Sequence, residues 1–354
     1  MTGKLILEGN FIFEGQSFGA PLSGVGEVVF STGMVGYPES LTDPSYTGQI
    51  LILTYPLIGN YGVFDKRYWE SDRIHVSGLI VSSYINTPSH FLNTMTLSTW
   101  LKKESIPALE ISDTRFLTQK IRSHGTMLGK MVLTEDISFH DPNTDNLVER
   151  VSIKTVTKER GNPQGEWRGK RLILIDCGTK RNIVRSLLKR GVEVITVPWN
   201  FDATENLPHS FDGIVISNGP GDPTMAKETI ENVRKALNKK IPLLGICLGH
   251  QILALAGGGK AYKLKFGHRS QNQPCLLAES KRCYITTQNH GFAIGKIPSG
   301  FTPWFTNAND GSNEGIKHKT LPFMSIQFHP EACPGPTDTE WIFDYFLERA
   351  NMSS

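Results

Sequence analysis

The chain has 354 residues, of which 39% are hydrophobic and 20% are charged. At roughly 150 residues per domain, this length predicts about two domains, each able to bury its own core, and the composition excludes a disordered chain or a coiled coil. The 37 Lys and Arg residues against 34 Asp and Glu leave a net charge of +3, which is too small to indicate a nucleic-acid partner or an anionic membrane surface.

The N-terminal sequence, MTGKLILEGNFIFEG, interrupts its apolar run with Glu8 and Asn10, a pattern typical of neither a signal peptide nor a transit peptide. The longest apolar stretch, residues 50–58, is broken by Thr54 and Pro56 and falls far short of the ~18 apolar residues of a membrane span. These features predict a soluble, cytoplasmic protein without a membrane partner.

Residues 1–150 contain short β-branched runs, GEVVF, QILILTYPLIGNYG and GLIVSSYIN, which are separated by Gly and Pro turns. Helix-like spacing follows at residues 94–103 and 114–123. This mixture predicts a smaller β/α domain over residues 1–150. Residues 151–170 are polar, basic and broken by Gly and Pro, without an apolar period, and this composition predicts a linker.

From residue 171 onward the apolar runs RLILID, VEVITV, DGIVIS and IPLLGI alternate with helical segments. Such runs are typical of parallel strands that are buried on both faces. Residues 171–354 are therefore predicted to form a three-layer α/β/α domain, and the predicted fold class of the whole chain is α/β.

The five cysteines stand at positions 177, 247, 275, 283 and 333, with no C-x-x-C pair among them. An odd number without paired spacing disfavours a disulfide scaffold and a cysteine-based zinc site. We therefore expect no metal site, and at most one or two of these thiols need a chemical role.

The strongest chemical signal is GICLGHQ around Cys247, which follows the predicted strand IPLLGI and opens the predicted helix QILALA. A nucleophile between a strand and a helix needs a sharp turn, with small residues two positions before and two after it. Gly245 and Gly249 occupy those positions. A lone cysteine in a glycine-rich turn is more often a small buried side chain, but this context and the helix N-terminus, which favours a thiolate, make Cys247 the candidate nucleophile.

The segment PFMSIQFHPE places His329 and Glu331 together at the end of a predicted strand. A cysteine nucleophile needs a base, and the base needs an orienting group, so His329 and Glu331 are the candidates for these two roles. A zinc deaminase would also show H-x-E, but it requires P-C-x-x-C downstream. The following sequence, ACPGPTD, holds a single cysteine, so we reject that alternative.

A glycine-rich turn, SNGPGDP, follows the predicted strand DGIVIS. Such a turn can direct backbone N–H groups at an oxygen that becomes negative during acyl transfer, so Gly219 is the candidate oxyanion donor, paired with the amide of Leu248. A dinucleotide-binding G-x-G-x-x-G is disfavoured because Thr224 stands at the third glycine position. The sequence holds no P-loop motif, so we expect no ATP site in this chain.

Together, the cysteine elbow, SNGPGDP and HPE resemble the class I (triad) glutamine amidotransferases, and they occur in that family's order. In the first half, residues 26–62 and 113–125 are similar to the small subunits of carbamoyl-phosphate synthase, and in the second half FGHRSQNQP, TQNHGFAI and TNANDGSNEGI are similar to the same family. The resemblance covers nearly the whole chain.

This resemblance implies that L-glutamine is the substrate and that Cys247, His329 and Glu331 form the catalytic triad. It also implies a glutamine site built from small and hydrogen-bonding residues, as suits a zwitterionic amino acid, with QNHGF taken as a turn. The implied glutamine-binding residues are Ser45, Gly219, Gly221, Leu248, Gln251, Asn289, Gly291 and Phe292.

The resemblance further implies a partner. The family's small subunit forms a heterodimer, or a higher hetero-oligomer, with a large subunit that consumes ATP and bicarbonate. That large subunit makes carbamoyl phosphate for arginine biosynthesis, pyrimidine biosynthesis or both. No cofactor is implied for this chain itself.

Three other functions share part of the pattern. A glutaminase of another synthase, such as one for anthranilate or GMP, would have the triad without a first half like residues 1–150. A binding or regulatory relative without activity is disfavoured by the intact set of Cys247, His329 and Glu331. A cysteine hydrolase that acts on peptides would share the triad, and incubation with glutamine and with a model peptide would distinguish it.

Overall fold

The computed structural model describes residues 1–206 and 210–352. Its backbone contacts divide the chain into two compact units, of which the first holds residues 1–145 and 265–270 and the second holds the rest. A short segment of the second half of the sequence thus belongs to the first unit. Within the described residues, no helix has both the length and the apolar character needed to cross a membrane.

The first unit contains a closed barrel with the strand order β1-β2-β6-β5-β4-β3-β7. Strands β3 to β6 pair in parallel, and the other neighbours pair antiparallel. The strands are β1 (Thr2–Leu7), β2 (Phe11–Ser17), β3 (Gly24–Ser31), β4 (Gln49–Leu53), β5 (Gly78–Val81), β6 (Ala108–Glu110) and β7 (Met127–Val132). The sequence predicts strands and helices here, but barrel closure depends on pairings between strands that are distant in sequence.

The helices of the first unit are α1 (Tyr37–Leu41), α2 (Leu97–Lys103) and α3 (Thr114–His124). The side chain of Thr96 accepts a hydrogen bond from the backbone N–H of Thr99 at the start of α2, and Asp113 caps α3 in the same way. Because these side chains satisfy N–H groups that the first helical turn leaves unpaired, they fix where both helices begin.

The second unit contains a sheet with the strand order β14-β13-β15-β16-β17-β12-β11-β9-β10-β8. Its strands are β8 (Thr157–Glu159), β9 (Arg171–Asp176), β10 (Glu193–Pro198), β11 (Gly213–Ile216), β12 (Leu243–Ile246), β13 (Lys260–Leu277), β14 (Cys283–Lys296), β15 (Phe301–Asn307), β16 (Asn313–His318) and β17 (Phe323–Ile326). Its helices are α4 (Leu147–Val151), α5 (Arg181–Lys189), α6 (Lys227–Asn238), α7 (Leu248–Ala256) and α8 (Trp341–Asn351).

Alternate side chains of the parallel strands enter two different cores. Leu172 and Leu174 of β9 pack in one apolar cluster with residues of α5 and α8. Ile173 and Ile175 of the same strand pack in the other cluster, with residues of α6 and α7. Since successive side chains of a strand point to opposite faces, the sheet has helices on both sides. The predicted three-layer α/β/α architecture is confirmed.

Residues 151–170, for which the sequence predicts a linker, are instead part of the second unit. Strand β8 lies in this segment and pairs antiparallel with β10 at the edge of the sheet. The backbone N–H of Asn162 donates to Leu188 O at 2.7 Å, and that of Trp167 donates to Arg190 O at 2.9 Å. A polar edge segment held by its backbone has no apolar period, so the composition could not distinguish it from a connector.

Candidate active site

Cys247 lies at a sharp turn between β12 and α7. Its backbone angles, φ 54° and ψ −103°, are rare for a residue with a side chain, so the surrounding structure must hold this conformation. A Cβ added to Gly245 would lie closer than 3.0 Å to the carbonyl oxygen of Gly249, and one added to Gly249 would meet the carbonyl oxygen of Ile216 equally closely. The two glycines are therefore required by the close approach of neighbouring backbone.

The sulfur of Cys247 has two polar contacts on β14 and on the segment after β17. The Sγ–H donates to the carbonyl oxygen of Asn289 at 3.6 Å, and Nε2 of Gln327 donates to Sγ at 3.7 Å. The residue is buried, and its backbone N–H donates to Ile326 O at 2.8 Å. The first N–H groups of α7 have no intrahelical acceptor, so the helix presents its positive end beside the sulfur.

His329 reaches the same edge of the sheet from β17. Strands β12 and β17 pair in parallel, with Ile246 beside Ile326, so the segments that follow them leave the sheet side by side. The N–H of His329 donates to Thr287 O at 2.9 Å, and its ring Nδ1 lies 2.6 Å from Glu331 Oε1. The ring also interacts with the side chain of Cys247, both electrostatically and through a side-chain hydrogen bond.

Lys180 completes this buried charge cluster. Its Nζ lies 3.1 Å from Glu331 Oε1, and it also donates to the carbonyl oxygen of Ala332. The side chain of Asn182 donates to the backbone carbonyl of Glu331. Lys180 lies in the loop after β9 and Asn182 lies in α5. A part of the chain that is distant in sequence from β17 thus holds both the carboxylate and the backbone of Glu331.

The charges of this cluster shift two pKa values in opposite directions. Burial by itself would raise the pKa of Glu331, but Lys180 and His329 outweigh it and lower that pKa to about 2. Burial likewise opposes the charged form of His329, but Glu331 and Cys247 raise its pKa to about 10. The site therefore favours an imidazolium that is held by a carboxylate and faces the sulfur.

The glycine-rich turn after β11 packs directly against the start of α7. A Cβ added to Gly219 would lie closer than 3.0 Å to Cys177 O and to the Leu248 side chain. The N–H of Gly249 donates to Ser217 O at 3.0 Å. These contacts place the turn that holds Gly219 against Leu248, the first residue of α7, and the oxyanion role of the two N–H groups stays a prediction.

Gly221 adopts a φ of 81° in the same turn, a left-handed conformation that favours glycine. The turn also contacts the loop of the charge cluster, because Asn218 Oδ1 accepts a hydrogen bond from the backbone N–H of Lys180 at 2.9 Å. The loop that carries Lys180 and the predicted oxyanion loop thus hold each other in place.

The QNHGF segment is not the turn that the sequence suggests, because it lies inside the long strand β14. Asn289 contacts the nucleophile from this strand through its carbonyl oxygen, as described above, and Gly291 lies two residues further on. The carbonyl of Phe292 accepts a hydrogen bond from Gln251 Nε2 at 2.9 Å. A glycine among polar residues is a turn signal in sequence, but backbone pairing decides the conformation here.

Ser45 belongs to the first unit, in a short 3-10 helix, Pro44–Tyr46, where the buried side chain of Asp43 accepts a hydrogen bond from the Ser45 N–H at 2.9 Å. Its assignment to the glutamine site stays a prediction. The glutamine contacts predicted for seven residues of the second unit also stay predictions: Gly219, Gly221, Leu248, Gln251, Asn289, Gly291 and Phe292.

Comparison with known proteins assigns both halves of the chain. A family model described as glutamine amidotransferase class-I matches residues 173–349, and one described as carbamoyl-phosphate synthase small chain, CPSase domain, matches residues 5–131. The carbamoyl phosphate synthase small chain of Pyrococcus furiosus is 47% identical over 98% of this chain and 97% of its own length. The chain belongs to the carbamoyl-phosphate synthase small-chain family. The resemblance stated from the sequence is confirmed.

Longer relatives contain a region like this small chain. The multifunctional protein ura1 of Schizosaccharomyces pombe is 45% identical over 99% of the chain, which spans 17% of that protein's length. The mitochondrial carbamoyl-phosphate synthase (ammonia) of Mus musculus is 46% identical over 98% of the chain, which spans 23% of that protein. The small chain thus corresponds to between a sixth and a quarter of these relatives.

Two residues of the site were missed by the sequence analysis. Lys180 carries no signal, because a lysine just before a helix is normally solvated. Gln327 did carry a sequence signal. Gln327, His329 and Glu331 follow one another at intervals of two residues, and residues at that spacing along an extended chain lie on one face.

Proposed function

We propose that this chain is the glutaminase subunit of a carbamoyl-phosphate synthase, which hydrolyses L-glutamine to glutamate and ammonia. The observation that carries the proposal is the meeting of Cys247, at a strained elbow, with the buried pair of His329 and Glu331. Membership of the small-chain family supports the same reaction and its purpose.

In the proposed first step, the Cys247 thiolate attacks the side-chain amide carbon of glutamine. A carbon–sulfur bond forms, and the amide oxygen becomes negative within reach of the Leu248 and Gly219 N–H groups. His329 then donates its proton to the nitrogen as the carbon–nitrogen bond breaks, so ammonia leaves and a thioester remains. A histidine that is charged in the resting site is suited to act first as an acid.

In the second step, the neutral His329 takes a proton from water, and the resulting hydroxide attacks the thioester carbon. The carbon–sulfur bond breaks, and the sulfur returns to the thiolate with His329 again protonated. The new carboxyl group loses its proton to solvent, so the product leaves as glutamate. Glu331 keeps the ring oriented and stabilises its charge throughout, as the third member of a triad does.

The proposed complex passes the ammonia to a large subunit, which binds ATP and uses bicarbonate to make carbamoyl phosphate. In this proposal the two chains form a heterodimer, and the product feeds arginine biosynthesis, pyrimidine biosynthesis or both. The Pyrococcus furiosus relative, which is itself named a small chain, supports a separate large partner.

The test compares the full chain, in complex with its large subunit, with its Cys247→Ala variant. We expect Cys247→Ala to lose ammonia release from glutamine and to retain carbamoyl phosphate synthesis from added ammonia. Cys283→Ala is the matched control, because Cys283 is an exposed cysteine of the same unit, and it should retain both activities. Full glutamine-dependent activity in Cys247→Ala, or cleavage of a model peptide in place of glutamine, would refute the proposal.

A further inference from the structure

A buried row of amide groups connects the carbonyl of Phe292 with the sulfur of Cys247. The Nε2 of Gln251 donates to Phe292 O at 2.9 Å and to Gln327 Oε1 at 3.0 Å. The Nε2 of Gln327 in turn donates to Cys247 Sγ at 3.7 Å. Both glutamine side chains are buried, with Gln327 fully so.

The direction of these hydrogen bonds is fixed from one end of the row. A backbone carbonyl only accepts, so the group of Gln251 that faces Phe292 must be its NH₂. The second hydrogen of that NH₂ then points at Gln327, which must present its oxygen. The amide of Gln327 is thereby left with its own NH₂ towards the sulfur, and the opposite orientation would place two NH₂ groups against each other.

We infer that Gln327 is a further catalytic residue, which stabilises the thiolate of Cys247 by donating an N–H to its sulfur. This inference rests on the proposed function, because it assumes that Cys247 is the nucleophile. In the resting state, with His329 protonated, the negative charge lies on Sγ, where Gln327 is a donor and the carbonyl of Asn289 is only an acceptor. In the thioester the sulfur is neutral and the bond from Gln327 weakens, so this donor favours the charged states before attack and after release.

The other titratable groups around the sulfur have different partners. His329 is the group that interacts with Cys247 directly, and Glu331 and Lys180 act through it. On α7, the Nδ1 of His250 lies 2.9 Å from Ser325 Oγ of β17, and burial lowers the pKa of this histidine to about 3. On β14, the ring of His290 contacts the Phe292 carbonyl and Gln288. Gln327 is thus an uncharged donor. Its contribution to the stability of the Cys247 thiolate can be measured separately from that of the ion pair with His329.

The experiment measures the thiolate itself in the absence of glutamine. The ultraviolet absorbance of the thiolate is followed against pH in the full chain, and the same titration with Cys247→Ala is subtracted to isolate Cys247. The test variants are Gln327→Met, which keeps the length and removes the N–H, and Gln327→Glu, which keeps the oxygen towards Gln251 and puts a carboxylate oxygen near Sγ. Circular dichroism and thermal unfolding establish that each variant folds.

Gln288→Met is the matched control. Gln288 is also buried, and its Nε2 donates to the sulfur of Cys275 at 3.3 Å, so its loss removes the same kind of contact from a cysteine outside the proposed mechanism. Burial raises the pKa of Cys275.

We expect the titration midpoint of Cys247 to rise by about one to two pH units in Gln327→Met, as the loss of a hydrogen bond to a charged group predicts. The rise should be larger in Gln327→Glu and absent in Gln288→Met. If Gln327→Met does not fold, Gln327→Leu, which also lacks an N–H and adds no charge, takes its place, because a rise in Gln327→Glu alone follows from the added carboxylate. An unchanged midpoint in the folded variants, or an equal rise in the control, would overturn the role of Gln327. A failure of the proposed function is distinguished by a different result: the unmodified chain, in complex with its large subunit, would release no ammonia from glutamine.

Discussion

The ammonium of Lys180 and the carboxylate of Glu331 form a buried ion pair, with 3.1 Å between Nζ and Oε1. The same carboxylate oxygen lies 2.6 Å from Nδ1 of His329. One anion therefore holds two cations in a region that excludes water. The orientation of the imidazole that faces Cys247 thus depends on a lysine from the loop after β9, on a different part of the sheet.

Replacement of Lys180 with methionine should destabilise the protein, because it leaves the Glu331 carboxylate buried beside His329 alone. His329 still compensates the carboxylate, so the loss is that of a hydrogen bond to a charged group, about 1.5–3 kcal/mol, and we expect the free energy of unfolding in urea to fall by about that amount. The control is Lys189→Met, since Lys189 is exposed and lies 3.9 Å from the partly exposed Glu340. Exposed pairs contribute at most about 1 kcal/mol, so an equal loss in both variants would contradict the prediction.

The opposite pKa shifts of Glu331 and His329 predict how stability depends on pH. The pKa of Glu331 falls from 4.5 to about 2 on folding, so its contribution is present above the unfolded value and is lost as pH falls towards 2. The pKa of His329 rises from 6.5 to about 10, so its contribution is complete below 6.5 and is lost as pH rises through 10.

The measurement is the free energy of unfolding in urea across this pH range, for the unmodified chain and for Glu331→Gln. The difference between the two should be largest between the unfolded pKa values of the two groups. It should shrink towards both pH extremes, because the carboxylate is protonated at one end and the imidazolium is neutral at the other. Two parallel curves would show that the pair contributes no linked stability.

The elbow could be predicted from sequence because its requirements are local. Gly245, Cys247 and Gly249 are close in the chain, and the close backbone approaches that exclude a side chain lie within that turn or on the next strand. Lys180 could not be predicted, because its partner Glu331 is brought to it only by the sheet. The same reason explains why the closure of the barrel and the edge strand β8 were missed, whereas the buried parallel strands were found from their continuous apolar runs.

Gly249→Ala tests the elbow directly. A Cβ at this position collides with the backbone of Ile216, so α7 must shift away from β11. Overpacking of this kind typically costs about 1–3 kcal/mol, and a displacement of about 1 Å at a reacting atom can lower the rate about 100-fold. We expect both effects, measured by thermal unfolding and by ammonia release from glutamine.

The control for the elbow is Gly258→Ala, just after the same helix. Gly258 has a φ of 89° and no heavy atom within 4 Å of an added Cβ. The left-handed backbone alone should cost about 1–2 kcal/mol, with kcat for glutamine unchanged. A similar loss of kcat in both variants would mean that general destabilisation, and not the position of Cys247, lowers the rate.

Gly219→Ala tests the proposed oxyanion site, because the new Cβ meets Cys177 O and the Leu248 side chain. The turn must then move away from α7, which separates the Gly219 N–H from that of Leu248. Loss of one oxyanion donor typically lowers kcat about 100-fold to 1,000-fold, and we expect a fall in this range for ammonia release from glutamine.

Two comparisons separate this effect from a loss of structure. Gly311→Ala places a side chain at a φ of 75° in open space, so it tests the cost of a strained alanine outside the turn, and its kcat should not change. Carbamoyl phosphate synthesis from added ammonia, in the proposed complex with the large subunit, does not pass through the oxyanion and should survive in Gly219→Ala. If kcat for glutamine also survives, the negative oxygen is held by groups other than Gly219, and the close packing of the turn on α7 serves only to support the elbow.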